Sequence, residues 1–100
     1  MIVLAGTLKI LDSNRGQVLE TLSSLQDATR AEDAGLVTYH FSIDMEDDQL
    51  VHVYEEWEST DHLKVHGQKE HMDAFRALRA DGKIEVVRFS RWRAEELGQF

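Results

Sequence analysis

The sequence of 100 residues contains no cysteine. This absence excludes a disulfide framework, thiolate metal ligands and catalysis by a thiol. Basic residues are also scarce, since 11 lysines and arginines stand against 19 acidic residues and the formal net charge is −8. A protein that binds nucleic acid or an anionic membrane needs a basic face. We therefore expect neither nucleic acid nor a membrane among its partners.

Long hydrophobic runs are missing as well. The first apolar run covers only Ile2 to Ala5 and is followed by Gly6 and Thr7. It lacks the basic start and sustained apolar core of a signal peptide. No segment approaches the roughly 20 apolar residues of a membrane-spanning helix. The sequence thus predicts a cytoplasmic protein whose residues 1–100 form one domain, long enough to bury a hydrophobic core.

Two hydrophobic periods alternate along the chain. A period of two, with many β-branched residues, predicts strands over 2–11, 36–43, 49–58 and 83–93. Spacings of three and four predict helices over 15–34 and 68–80, with a short helix between them that is capped by Ser59 and Thr60 and ends near Gly67. Residues 12–14 are predicted to supply the turn and the N-cap before the first helix.

This order of elements is typical of an α+β, ferredoxin-like fold, with a four-stranded antiparallel sheet and helices on one face. The second and third strands are expected to form a hairpin. The first and last strands are apolar on both sides, as the pairs Leu4 and Ala5, and Val86 and Val87, illustrate. Alternation places Phe89 on the same side of the last strand as Val87 and on the side opposite Val86. Because helices cover only one face, we expect a second copy to cover the other, giving a homodimer. The alternative is a monomer in which long charged side chains shield that face.

Histidines concentrate in one passage, since four of the five lie between His52 and His71. Histidine is suited to proton transfer near neutral pH. His62 and His66 have a spacing that can hold a metal ion. The residues between them do not form an H-E-x-x-H motif, so we expect no metal site. His66, which precedes Gly67, can also simply cap a helix C-terminus.

Carboxylates flank Trp57 at the end of the third strand. Glu55 and Trp57 point to the same side of a strand, while Glu56 and Glu58 point to the other. Paired carboxylates are suited to acid–base chemistry, but we interpret them as a solvated strand end with one buried partner for an arginine. The sequence has no G-x-S-x-G motif, phosphate-binding glycine loop or dinucleotide fingerprint. We therefore expect no flavin, nicotinamide or other cofactor.

In the passage from Tyr54 to Phe75, Glu55, Trp57 and Ser59 mark the end of a strand, and His66 and His71 follow on the helical segments. These residues resemble the pattern of the antibiotic biosynthesis monooxygenase (ABM) family. That pattern is an aromatic-E-x-W-x-S strand end, a short helix that ends in histidine, and a second histidine four to six residues later. A haem-degrading branch of the same fold has an asparagine on the first strand and a histidine ligand on the long helix. This sequence differs from that branch, because it has Gly6 and Thr7 on the first strand and Arg76 at about the position of the ligand.

The resemblance implies a dimeric α/β barrel in which two sheets pack face to face. It implies cofactor-independent oxidation of a quinol, polyphenol or similar electron-rich aromatic by O₂, with His66 or His71 as the general base. The residues it suggests as substrate contacts are Tyr39, Trp57, Met72, Phe75 and, if its side chain turns inward, Arg88. Two alternatives stay open: an isomerase of a small phosphorylated ketone, and a non-catalytic dimer that binds small hydrophobic ligands.

Overall fold

A computed structural model describes residues 1–11 and 13–100. In these residues four strands and three α-helices follow one another in the predicted order. The strands are β1 (Ile2–Ile10), β2 (Leu36–Ile43), β3 (Leu50–Trp57) and β4 (Ile84–Arg93). The helices are α1 (Arg15–Glu32), α2 (Thr60–Gly67) and α3 (Asp73–Ala80), and a 3₁₀ turn at Glu70–Met72 leads into α3.

The sheet has the strand order β2-β3-β1-β4, and all three strand pairs are antiparallel. This arrangement confirms the predicted α+β, ferredoxin-like fold and the β2–β3 hairpin. No helix in the described residues is long and apolar enough to cross a membrane.

Side-chain caps determine where the helices begin. The side chain of Asn14 accepts a hydrogen bond from the backbone of Gln17 at the start of α1, and Ser59 does the same for His62 at the start of α2. The predicted turn at 12–14 is described only in part, because Asp12 lies outside the described residues.

The first helix ends two residues earlier than predicted. Asp33 has an extended backbone (φ −89°, ψ 115°), while its N–H still bonds to the carbonyl of Thr29. Gly35 follows with a φ of +79°, a conformation that favours glycine. The chain therefore turns into β2 directly after Asp33, which places the Asp33 side chain at the end of the helix layer.

The hydrophobic core lies between the sheet and the helices. Its main cluster joins residues from β1, α1, β3, α3 and β4: Leu8, Ile10, Val18, Leu22, Val51, Leu78 and Ile84. A second buried cluster, formed by Ile2, Tyr39 and Trp57, lies at the other end of the sheet. Burial of these side chains supplies the principal favourable contribution to folding.

The open face of the sheet, which no helix covers, is more polar than predicted. A register shift between Thr7 and Leu8 brings Val86 and Phe89 to the helix-facing side, opposite Leu8 and Gly6. A Cβ at Gly6 would lie 2.3 Å from the Arg88 carbonyl oxygen, so the close approach of β4 needs glycine there. The expectation that Phe89 and Val86 lie on opposite sides of β4 is therefore wrong.

Candidate active site

A cavity of about 370 Å³ lies between the helix-facing side of the sheet and helices α2 and α3. The sheet contributes Leu4, Glu55, Val86 and Phe89. The helices and the turn between them contribute Leu63, His66, Gly67, Met72, Phe75 and Arg79. Most of the walls are apolar, and the size falls within the usual range of small-molecule sites. The cavity therefore suits a small aromatic or aliphatic molecule.

His66 occupies one wall of this cavity and is 4% exposed. Its Nδ1 forms a hydrogen bond with Oδ2 of Asp33. Its ring packs on the indole of Trp57, with a centroid distance of 4.7 Å and an angle of 38°, and the edge of Tyr39 lies 5.6 Å away. Because Nδ1 is already engaged, Nε2 is the nitrogen available to a molecule in the cavity.

Asp33 connects two histidines from a position just beyond α1. Its side chain is only 1% exposed. On one side it binds His66, and on the other it lies 3.1 Å from Nε2 of His71. Nδ1 of His71 lies 3.3 Å from a carboxylate oxygen of Glu32, which is 65% exposed. A polar chain of four side chains thus runs from the cavity wall to solvent.

Burial lowers the pKa of His66, although the carboxylate of Asp33 opposes this effect. The neutral imidazole therefore predominates at neutral pH. With Asp33 as an acceptor on Nδ1, the proton of the neutral ring resides on Nδ1 and the lone pair on Nε2. This is the tautomer that a general base in the cavity requires.

Glu55 is the second titratable group in the cavity, and the prediction that it is solvated or paired with an arginine is wrong. It is 3% exposed, and Nε1 of Trp57 donates a 2.9 Å hydrogen bond to its Oε1. Burial raises the pKa of Glu55 to about 7, and the hydrogen bond from Trp57 opposes only part of that rise. A carboxyl group with this pKa can exchange a proton near neutral pH.

The structure separates the predicted site residues into three groups. His66, Met72 and Phe75 line the cavity. Tyr39 and Trp57 are buried behind His66, where they support its ring instead of contacting the cavity. His71 lies outside the cavity, in clefts along α1, so the two histidines occupy different ends of one hydrogen-bonded chain.

Arg88 does not turn inward. It pairs with Thr7 on the open face, and the side chain of Thr7 binds His52 there. Because of the register shift in β4, Arg88 and Phe89 each lie on the side of the sheet opposite to the one that regular alternation predicts. Phe89 therefore reaches the cavity, and Arg88 does not. The arginine that does line the cavity is Arg79, from α3.

Sequence reasoning did not identify Asp33, Glu55 or Arg79 as site residues. Glu55 carried a usable signal, because it alternates with the buried residues Val53 and Trp57 along β3. Asp33 carried none, because 33 positions separate it from His66 and only the fold brings them together.

One group of side chains in the described residues could hold a metal ion. The ligand atoms of Asp33, His66 and His71 lie within 4.8 Å of one another, and a carboxylate with two imidazoles suits zinc or iron.

His62, whose spacing from His66 in the sequence can also hold a metal ion, is not part of this group. Its ring binds Ser59 and packs so closely against Gly35 that a Cβ there would lie 2.2 Å away.

Comparison with known proteins identifies the family. Residues 1–78 match the family described as antibiotic biosynthesis monooxygenase. The chain belongs to this family. None of the curated protein sequences matches the chain significantly.

Solved structures of the ABM fold agree over nearly the whole chain. A candidate antibiotic biosynthesis monooxygenase from Deinococcus radiodurans is 22% identical, with a TM-score of 0.86 over 100% of this chain and 98% of that one. A similar candidate from Caulobacter crescentus is 20% identical, with a TM-score of 0.81 over 95% and 90%. A Pseudomonas aeruginosa protein is 22% identical, with a TM-score of 0.75 over 97% and 94%. At these identities the likeness establishes the ABM fold.

Replacing Glu55 by Gln should change how the stability of this ABM protein depends on pH. In the wild type the pKa of Glu55 rises from 4.5 unfolded to about 7 folded, so the folded state retains a proton between these pH values. The wild-type free energy of unfolding should therefore fall, by at most about 3 kcal/mol from this group, as the pH rises from 4.5 to 7. Glu55→Gln should lack that contribution.

Urea denaturation at pH 5 and pH 8 measures the effect. The exposed carboxylate Glu58 provides the control, because Glu58→Gln removes a charge one residue beyond β3 and should keep the wild-type dependence. If Glu55→Gln shows the same loss of stability with rising pH as the wild type, Glu55 does not hold the proton.

Proposed function

We propose that this family member is a cofactor-independent monooxygenase that oxidises a quinol, polyphenol or similar electron-rich aromatic with O₂. The observation that carries the proposal is the position of His66. A neutral imidazole, fixed through Nδ1 by the buried carboxylate of Asp33, forms part of the wall of an otherwise mostly apolar cavity.

The first step is removal of a proton from an aromatic hydroxyl group. The group donates its proton to Nε2 of His66, and Asp33 stabilises the imidazolium that results. The apolar walls exclude water and strengthen the attraction between the imidazolium and the aromatic anion. Deprotonation makes the aromatic a much stronger reductant, which prepares it for reaction with O₂.

The anion then passes one electron to O₂, and the two radicals combine to form a C–O bond. Loss of water from the resulting hydroperoxide leaves one oxygen atom in the product. The substrate supplies all four electrons that reduce O₂, so the reaction balances without an external reductant. Glu55 shares the cavity and, in its protonated form, can donate a proton to the departing oxygen.

The proton taken by His66 returns from Nε2 to the peroxide anion that forms when the radicals combine. This step gives the hydroperoxide and restores the neutral ring with its proton on Nδ1. Until then the chain of Asp33, His71 and Glu32 stabilises the imidazolium from the side opposite the cavity. In this proposal His66 is the base, and His71 holds the carboxylate that stabilises it.

The isomerase alternative requires recognition of a phosphate. Within the cavity Arg79 is the one cationic side chain among the described residues, and Glu55 lies on the same walls. A phosphate dianion is better matched by several donors. The cavity therefore favours the aromatic substrate.

A non-catalytic binder would use the same apolar walls, and turnover distinguishes it from the enzyme.

Oxygen uptake with a panel of hydroquinones and anthrones tests the proposed activity. We expect one O₂ consumed per substrate molecule and one atom of oxygen-18 in the product when labelled O₂ is supplied. The same uptake should occur after treatment with a chelator, with metal content checked by mass spectrometry. No uptake by the wild type across the panel would contradict the monooxygenase assignment for these substrates.

Variants of the histidine chain test its role in turnover. His66→Ala should lower kcat by about 10²-fold or more, the usual contribution of a general base. Asp33→Asn should lower it in the same direction, because an amide cannot stabilise the imidazolium equally well. Asp27→Asn, at an exposed site on α1, should keep wild-type turnover. If His66→Ala and Asp33→Asn both keep the wild-type kcat, His66 is not the general base.

We also propose that the protein is a homodimer in which two open faces pack together. The open face exposes 40% of Tyr54 and 47% of Trp92. Both side chains lie on the side of the sheet that the helices leave uncovered, because Tyr54 pairs with Ala5 and Trp92 pairs with Val3. Aromatic side chains of this kind are enriched in protein interfaces. A dimer would bury them, as the family resemblance implies.

Light scattering at micromolar concentration should report a dimer. Tyr54→Lys should produce a monomer, because it introduces a charge at the centre of the proposed interface. Val65→Lys alters another exposed apolar residue, on α2, and should leave the dimer intact. A monomeric wild type would refute the face-to-face arrangement.

A further inference from the structure

A groove adjoins the cavity and shares three lining residues with it, namely Leu4, Leu63 and Gly67. The groove runs along α2 to the edge strand β4. Beyond the shared residues its lining is polar: Thr60, Asp61, Lys64 and Arg91. A molecule whose apolar part occupied the cavity could therefore place a polar substituent in this groove.

Two cationic side chains line this groove. Lys64 and Arg91 form no salt bridge within 4.0 Å in the part of the chain that the structure describes. The whole chain has 11 basic residues against 19 acidic ones, so a groove lined by two cations and one acid has a charge of the opposite sign to that of the chain. The single acid in the lining, Asp61, leaves the groove with a formal charge of +1.

We propose that the substrate of this site is an aromatic hydroxy compound with one carboxylate, which binds in the groove between Lys64 and Arg91 while the ring occupies the cavity. The aromatic part rests on the proposed function. The carboxylate follows from the groove, because a formal charge of +1 balances a monoanion and leaves a phosphate dianion only half neutralised. Arg91 lies beside Leu4 in the sheet and offers a planar fork of donors that suits a carboxylate.

Anaerobic calorimetric titration with a matched pair of ligands tests this inference without requiring turnover. The pair is 1,4-naphthalenediol and 1,4-dihydroxy-2-naphthoate, which differ only by the carboxylate. We expect the carboxylate to bind about threefold to tenfold more tightly at low salt, as partly exposed ion pairs allow. The difference should shrink as ionic strength rises.

Variants of the groove residues test which side chains cause the preference for the carboxylate. Arg91→Gln and Lys64→Gln should each weaken binding of the naphthoate and leave binding of the diol unchanged. Asp61→Asn should strengthen binding of the naphthoate, because it removes the opposing charge. Arg93→Gln is the matched control, since Arg93 lies on the same strand two residues away and does not line the groove. It should keep the wild-type affinities.

The outcomes separate this inference from the proposed function. Equal affinity for the two ligands would overturn the carboxylate site, and so would a preference for the naphthoate that persists in both Arg91→Gln and Lys64→Gln. Neither result would contradict binding of the aromatic ring in the cavity. Failure of both ligands to bind overturns the aromatic substrate class and this inference with it. If 1-naphthyl phosphate binds more tightly than the naphthoate, the substrate is not a monoanion and a phosphorylated substrate is favoured.

Discussion

The buried carboxylate of Asp33 is the constraint on which the site depends. A carboxylate with 1% of its side chain exposed loses its hydration, and this loss must be offset by partners. The partners are two imidazoles, one from α2 and one from the 3₁₀ turn that precedes α3. Asp33 therefore joins the end of α1 to both other parts of the helix layer, and the same contacts determine which nitrogen of His66 carries a proton.

The cavity combines this polar chain with apolar walls. At neutral pH burial keeps His66 predominantly neutral and raises the pKa of Glu55 to about 7, so the charged groups of the mostly apolar cavity are Arg79 and a partly ionised Glu55. A neutral aromatic can enter without displacing a strongly hydrated ion. Charge separates only when the proton moves to His66, and Asp33 is already placed to stabilise it. This order of events links the packing of the helix layer to the proposed chemistry.

Local patterns in the sequence predicted most of the fold but only part of the site. Strand β2 was predicted with its observed bounds, because alternation and the flanking glycine are local signals. The direction of Arg88 could not be predicted from alternation, since the register shift near Gly6 depends on contact between two distant strands. Asp33 could not be predicted at all. Its role arises from the turn at Gly35 and from contacts 33 and 38 positions away.

The central claim is that Asp33 holds His66 as a neutral base with its lone pair on Nε2. Nitrogen-15 NMR of the imidazole rings at neutral pH tests this claim most directly, with His66→Ala identifying the signals of His66 by their absence. The account predicts that His66 is neutral, with a proton on Nδ1 and an unprotonated Nε2. A spectrum that shows His66 with its proton on Nε2, or fully protonated at neutral pH, would contradict the account.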